Sequence, residues 1–379
     1  MTDLNNNIAI VGVGRLGLCA ALCFERAGYN VLGCDVNGSY VAQLNARTFS
    51  SNEPGVVDAL KAAKSLQFTT DLSAALSHAR LVWIFVDTPS GSGGQSYDHS
   101  KLSAVLQLIA ASAVRHAGGA HVMVGCTVLP GYFAGVGRYL LRSRADLTLS
   151  YNPEFIAQGD IMRGFVQPDM VLIGQGSDAA GDAIAAVYAR VCANQPRVCR
   201  MSAESAELTK LSLNCFVTMK IAYANAIGDI AACTPGADAD AILAAVGADS
   251  RVGSKCLRPG YGFGGPCFPR DNTALGHYAA SVGREPLLSR ATDAANEAHR
   301  AFQIAQLQRA HPEPEHCFVF DWVTYKDNCA VPIIEHSQKL LIAAALARAG
   351  RRVLVRDRAD VLACVEREYG SLFAYETLV

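Results

Sequence analysis

An α/β architecture is what this sequence predicts: a doubly wound parallel sheet at the N-terminus, a long connecting helix within a helical region, and a smaller α/β unit at the C-terminus. Three observations predict it. First, the apolar run Ile8-Ala9-Ile10-Val11 ends in Gly12-Val13-Gly14-Arg15-Leu16-Gly17, passes into a helical segment at Leu18 to Ala27, and reaches a second apolar run closed by Asp35. Second, strand-length apolar runs alternate with helical segments to about residue 200, as in a sheet whose strands are joined by crossover helices. Third, Ser202 to about Ala232 holds no proline or internal break and reads as one helix, long enough to connect two lobes.

The first unit carries a specific chemistry. Its glycines permit a tight turn and let a pyrophosphate approach the helix N-terminus, and Asp35 is placed to accept hydrogen bonds from a ribose diol. A lone glycine triplet is weak evidence, but strands on both sides and an acid about 20 residues on make a dinucleotide fingerprint. The sheet is therefore expected to be Rossmann-like, and the Asp35 carboxylate disfavours a 2′-phosphate, pointing to NAD. Further strand-like runs lie at Leu81 to Val86, His121 to Val124 and Met170 to Ile173. Thr88-Pro89 and Thr127-Val128-Leu129-Pro130-Gly131 follow two of them, at the strand ends where such sheets bind ligands. Ordinary turn chemistry is the plainer reading of both.

On the long helix, Lys210 and Asn214 stand four apart on one face, and Asn225 shares that face about three turns on. Such a stripe is usually solvated. Between a cofactor region and the cysteine loop at residues 262–271, it is expected to line a cleft. Pro312-Glu313-Pro314-Glu315 marks a linker, after which Cys317 to Phe320, Ser337 to Ala349 and Arg352 to Val355 read as strand, alanine-rich helix and strand. The expected domains are 1–200, binding the dinucleotide; 201–311, helical; and 312–379, α/β.

Composition narrows the function classes. With 379 residues, 51% hydrophobic and 18% charged, the chain has the balance of a soluble globular protein with substantial cores. A net charge of −1 gives no electrostatic case for nucleic acid or an anionic membrane. No apolar span has membrane length, and the opening Met1 to Asn7 is polar, so neither a membrane segment nor a secretory leader is expected. Thirteen cysteines without paired metal-ligand spacing read as reduced thiols of a cytoplasmic protein, with no metal.

The other informative stretch is Gly262-Phe263-Gly264-Gly265-Pro266-Cys267-Phe268-Pro269-Arg270-Asp271. Glycines let backbone approach a ligand closely, and a cysteine beside cations and amides can serve as a nucleophile. A buried thiol is more often an inert small hydrophobe. A redox cofactor combined with a nucleophilic thiol suggests oxidation of an alcohol past the aldehyde, with the aldehyde held on sulfur.

These motifs, taken in order, resemble the nucleotide-sugar 6-dehydrogenase family, typified by UDP-glucose 6-dehydrogenase. The resemblance runs from Ile8 to Leu275 through the glycine fingerprint, Glu53-Pro54-Gly55, Thr88-Pro89, Thr127, Asn152-Pro153-Glu154-Phe155, Ala206-Glu207 with Lys210 and Asn214, Asn225, Arg251 and the Cys267 loop. It implies NAD bound by Gly12, Gly14, Arg15, Leu16, Gly17, Asp35, Thr88, Thr127 and Arg270. It implies a nucleotide sugar held by Phe155, Ile156, Gln158, Lys210, Asn214, Arg251, Tyr261, Phe263, Gly264 and Lys326. In the mechanism it implies, a water near Thr127, Asn214 and Asp271 assists proton removal, and Lys210 faces developing oxyanions. Cys267 captures the aldehyde, and Glu154 activates the water that hydrolyses the thioester. Arg251 resembles a residue that reaches a neighbouring subunit's substrate, implying a homodimer.

Several positions depart from the family pattern. Arg270 stands where lysine is usual, Gln158 where a second glutamate is usual, Met170 where arginine is common, and Ala226 where glutamate often follows the asparagine. The region after Pro314 is shortened, and Ile334-Glu335-His336-Ser337-Gln338 lies near the place of an expected arginine. UDP-glucose leads among substrates, followed by UDP-N-acetylhexosamines and GDP-mannose. Two other readings compete: a single-step dehydrogenase of the 3-hydroxyacid or 6-phosphogluconate type, which needs no thiol, and a non-catalytic NAD- and sugar-nucleotide-binding homologue.

Overall fold

The computed structural model describes residues 6–91 and 97–378; the polar N-terminal stretch lies mostly outside the described residues. The chain divides into two compact units, Met1–Lys210 and Leu211–Val379.

The first unit is built on eight strands: β1 (Asn7–Val11), β2 (Asn30–Cys34), β3 (Leu66–Thr69), β4 (Leu81–Ile84), β5 (Ala120–Val124), β6 (Leu147–Tyr151), β7 (Met170–Gly174) and β8 (Arg197–Met201). They lie in the order β3-β2-β1-β4-β5-β6-β7-β8, a doubly wound Rossmann-like sheet extended by two strands. Strand alternation divides the core between the two faces. Ile8, Ile10 and Trp83 pack with the helix Arg15–Arg26 on one face, while Ala9, Val11, Val82 and Ile84 pack with Leu102 and Leu106 on the other.

The expected parallel sheet needs one correction. β6 and β7 meet antiparallel through Tyr151 and Gly174, whereas every other neighbouring pair is parallel. An antiparallel neighbour requires no full crossover helix, and the connection holds only the short helix Ile161–Val166. Gly174 permits the close approach, because a Cβ there would lie 2.8 Å from Ala203 Cα and 3.1 Å from Tyr151 Cβ. Strands β3 and β8, which the apolar pattern does not reveal, lie at the sheet edges, and β8 is largely exposed.

The 30-residue helix Ala203–Ala232 begins in the first unit and continues into the second. The second unit adds helices Ala239–Ala248, Phe268–Ser281 and Leu287–Ala310. Its sheet is parallel, in the order β11-β10-β9, with β9 (Cys317–Asp321), β10 (Arg352–Asp357) and β11 (Ala374–Thr377). Phe318, Phe320, Leu340, Ala343, Val353, Val355 and Val361 form its core against helices Gln338–Arg348 and Ala359–Tyr369. Among the described residues no helix is long and apolar enough to cross a membrane.

Candidate active site

The dinucleotide turn follows β1, where the strand order reverses. Gly12 has φ +85°, and a Cβ on it would meet the Phe85 carbonyl oxygen at 2.7 Å; a Cβ on Gly17 would sit 2.0 Å from the Gly12 carbonyl oxygen. Both positions therefore demand glycine for the protein's own packing. Gly14 has nothing within 4 Å of its absent Cβ, which leaves the first turn of the helix open to a phosphate. Asp35, at the end of β2, accepts from the Val13 amide at 3.1 Å and the Asn37 amide at 3.0 Å, and Tyr40 Oη donates to the Val13 carbonyl at 2.8 Å. The carboxylate thus pins the turn and keeps lone pairs for a diol. These residues fit NAD. Arg15, at the helix start beside Leu16, donates through its guanidinium to Gln158 Oε1, and Thr88 Oγ1 donates to the Thr127 carbonyl at 2.8 Å.

Beyond β6, Asn152-Pro153-Glu154-Phe155 leads to Ile156, packed against Gly164. Burial of its carboxyl pushes Glu154 up from 4.5 to about 7, opposed by the Tyr188 hydroxyl bond and the Lys210 cation. Lys210 Nζ donates to the Glu154 carbonyl and lies 4.5 Å from the centre of the Phe155 ring. Lys210, Glu154 and Phe155 are therefore brought together within one unit. Two acids of the resemblance are structural in this chain. Glu53 accepts the Gly159 and Ile161 amides at 3.0 and 2.8 Å, and Glu207 accepts those of Gly131 and Phe133 at 2.7 and 2.9 Å. Each caps the start of a helical segment.

In the second unit, Cys267 is exposed and occupies the N-cap position of helix Phe268–Ser281. An anionic sulfur there faces the positive end of the helix dipole. Asp271 lies in the first turn, 1% exposed; Asn214 Nδ2 donates to its Oδ2 at 2.5 Å, and its amide donates to the Cys267 carbonyl at 2.8 Å. Arg270 shares that turn. Asn214, Cys267 and Asp271 thus form one local constellation.

The glycines of the cysteine loop are demanded by the chain's own packing. A Cβ at Gly262 would meet Asn296 Oδ1 at 2.3 Å, one at Gly264 the His336 carbonyl oxygen at 2.1 Å, and one at Gly265, with φ +80°, the Tyr325 ring at 2.3 Å. The chain's own groups fill that space. Three side-chain amides brace the loop. Asn296 exchanges two hydrogen bonds with the Phe263 backbone, Gln338 Nε2 donates to the Phe263 carbonyl at 2.9 Å, and Asn225 bonds the Gly260 amide and the Tyr261 carbonyl. Asn225 therefore does not continue a ligand-facing stripe with Lys210 and Asn214. Asn296 and Gln338 carry no sequence signal, because an amide that braces a distant loop sits in no local motif.

Tyr261 is exposed beside Lys339 Nζ, and Lys326 Nζ lies 5.9 Å from the Tyr325 ring. Arg251 is paired with Asp249 in its own turn, at 2.7 and 3.0 Å, with its side chain 86% exposed. Among the described residues one trio, His311, Glu313 and His316, gathers metal-ligand atoms within 4.8 Å. Its two imidazoles are stacked 3.8 Å apart at 8°, so their in-plane lone pairs do not converge on one ion.

Residues 6–192 match the NAD-binding domain, and residues 204–298 the central domain, of the UDP-glucose/GDP-mannose dehydrogenase family. The chain belongs to this family. NAD is its cofactor, and the glycine turn and Asp35 fit it. The chain is 33% identical over 297 residues to a UDP-glucose 6-dehydrogenase of Pseudomonas aeruginosa, covering 76% of this chain and 65% of the relative. It is 31% identical over 310 residues to one of Bacillus subtilis, covering 79% and 65%. The match thus spans just under two thirds of the length of these relatives. The solved structure of a UDP-glucose dehydrogenase from Pyrobaculum islandicum aligns over 98% of this chain and 85% of its own, with a TM-score of 0.86 and 29% identity.

Proposed function

We propose that the protein oxidises the C6 hydroxyl of a nucleotide sugar to a carboxylate, with UDP-glucose as first substrate and UDP-glucuronate as product. The observation that carries this reading is the thiol of Cys267 at a helix N-terminus, with the Asn214–Asp271 pair one turn away. A simple alcohol dehydrogenase has no use for that arrangement. NAD+, when bound, accepts a hydride from C6 in each of two oxidations.

Every other step falls to this chain. Lys210 supplies positive charge to the oxygen that develops at C6, and Asp271 with Asn214 and Thr127 orients the water that takes the hydroxyl proton. The Cys267 sulfur adds to the aldehyde carbon to give a thiohemiacetal, which loses its C6 hydride and hydroxyl proton to become a thioester. Glu154, as carboxylate, removes a proton from the water that attacks the thioester, and sulfur leaves as thiolate while the carboxylate product forms. The net reaction consumes one sugar, two NAD+ and one water and yields one uronate, two NADH and three protons.

Residues 1–200, 201–311 and 312–379 are assigned to NAD binding, to the cysteine loop with dimerisation, and to the nucleotide sugar. Phe155, Ile156, Gln158, Arg251, Tyr261, Phe263, Gly264 and Lys326 are assigned to substrate, and Arg270 to cofactor. A homodimer is supported by Phe216, Tyr223 and Ile230, which recur every seventh residue on the long helix with Leu213 one turn before, at 55, 51, 62 and 37% exposure. Arg251 would serve the partner's substrate. Thirteen thiols with no disulfide support a cytoplasmic location.

The test is NADH formed per sugar consumed, with purified protein, NAD+ and a panel of UDP- and GDP-hexoses. We expect two for one sugar, and fewer than two in Cys267→Ser. Full two-NADH turnover in that variant would sink the thioester route. NAD binding without turnover on any sugar would favour a non-catalytic homologue.

A further inference from the structure

Glu154 is the end of a buried polar chain that the reaction above does not use. Trp83 Nε1, which can only donate, bonds Asn152 Oδ1 at 2.8 Å, and Asn152 Nδ2 donates to the Leu172 carbonyl at 3.0 Å. These two bonds fix which end of the amide faces Tyr188: its Oη lies 2.9 Å from Asn152 Oδ1 and is hydrogen-bonded to Glu154 Oε1. Trp83 and Tyr188 are 0% and 2% exposed, and the edge of one ring meets the face of the other where Tyr188 and Phe24 pack, at 87° and 6.5 Å between centroids. The phenol has no room to turn away.

A phenol carries one proton, and here it faces two acceptors when Glu154 is ionised. We propose that Tyr188 is the positioning residue for Glu154: its hydroxyl donates to the carboxylate and, when Glu154 takes up a proton, accepts from the acid and turns its own proton to Asn152 Oδ1. Both protonation states of Glu154 then keep a satisfied partner on the Tyr188 side, which a base that gains and loses a proton each turnover needs. This inference rests on the reading of Glu154 as the hydrolytic base.

The other groups facing the carboxyl leave this role to Tyr188. Lys210 on the long helix contributes a cation that favours the ionised form. Cys23 on helix Arg15–Arg26 and Cys192 after helix Asp178–Val191 are pushed up by burial to about 12 and about 11, and stay neutral near pH 7. Tyr188 itself is held well above its ordinary value, mainly by burial and then by the Glu154 charge, so it remains a donor throughout. The bond to the carboxylate lowers the Glu154 value. Losing it moves the carboxyl upward.

The experiment compares wild type, Tyr188→Phe and Glu154→Gln as full-length protein. Infrared difference spectra against Glu154→Gln isolate the Glu154 carboxyl band, without NAD or sugar. We expect its titration midpoint to rise by about one pH unit in Tyr188→Phe, the scale of one lost charge-assisted hydrogen bond. Single-turnover thioester hydrolysis should fall about fivefold at pH 7 and recover at higher pH, the fold-change following from that midpoint shift. An unmoved midpoint in a folded Tyr188→Phe protein overturns the inference, and so does a rate loss equal at all pH values. If that variant does not fold, a slowly exchanging Tyr188 hydroxyl proton is sought by NMR in wild type; its persistence unchanged in Glu154→Gln overturns the inference. Absence of two-electron-pair turnover in wild type defeats the proposed function and leaves the infrared result standing.

Discussion

Asn296→Leu separates the loop-bracing account from one in which the glycine loop is shaped mainly by ligand. Asn296 is 6% exposed, and its side chain spans the Phe263 backbone, accepting from the amide at 2.9 Å and donating to the carbonyl at 3.1 Å. Leucine nearly preserves volume and removes both bonds. The carbonyl keeps Gln338 Nε2 at 2.9 Å, so its loss is one bond of about 1 kcal/mol. The Phe263 amide, in a residue 4% exposed, loses the acceptor it has and costs about 1–3 kcal/mol as an unsatisfied donor. The sum is roughly 2–4 kcal/mol, a fall on the order of 10 °C in the melting of the second unit. Cys267 lies four residues further along this loop, so its alkylation by a neutral maleimide should accelerate and turnover should drop together. Calorimetry and alkylation kinetics read the two effects. A melting temperature within about 2 °C of wild type with unchanged alkylation would refute the reasoning.

Three further outcomes follow from the same geometry. Because burial raises Glu154 from 4.5 to about 7, the folded chain holds this proton to higher pH than the unfolded chain. Stability should therefore fall as pH rises from 4.5 to about 7, by at most about 3 kcal/mol, and Glu154→Gln should gain on wild type at pH 8 relative to pH 5. Denaturant midpoints at the two pH values check this, and an equal difference at both contradicts it. Asp35→Asn retains an acceptor for the Val13 amide but loses the charge, so NAD affinity should weaken roughly tenfold by fluorescence titration. Unchanged affinity would confine the carboxylate to bracing the turn. Phe216→Glu places a charge in the exposed heptad stripe and should yield monomers by light scattering; a persisting dimer would show that the stripe is not the interface.

Much of this protein was readable along the chain. The first two strands, the helix after the glycine turn, the 30-residue helix and the strand–helix–strand near the C-terminus all announce themselves through apolar period and turn residues, since those signals are local. Strands β3, β6, β8 and β11 did not, because edge and mixed-polarity strands lack a continuous apolar run. The family resemblance pointed to Lys210, Glu154, Asn214, Cys267 and Asp271. It could not say that Glu53, Glu207 and Asn225 serve backbone amides of distant segments.

What the sequence by itself determined is the dinucleotide turn, the cysteine loop and the order of the helices and strands around them. Each depends on residues close together, where a glycine's freedom or a run's periodicity acts directly. What only the tertiary structure decided is how these pieces are held and tuned. The carboxyl of Glu154 is raised by burial and met by Tyr188, 34 residues on, and the glycines near Cys267 are demanded by Asn296, Tyr325 and His336. Desolvation and close packing depend on which distant groups share a volume, and a linear pattern does not carry that information.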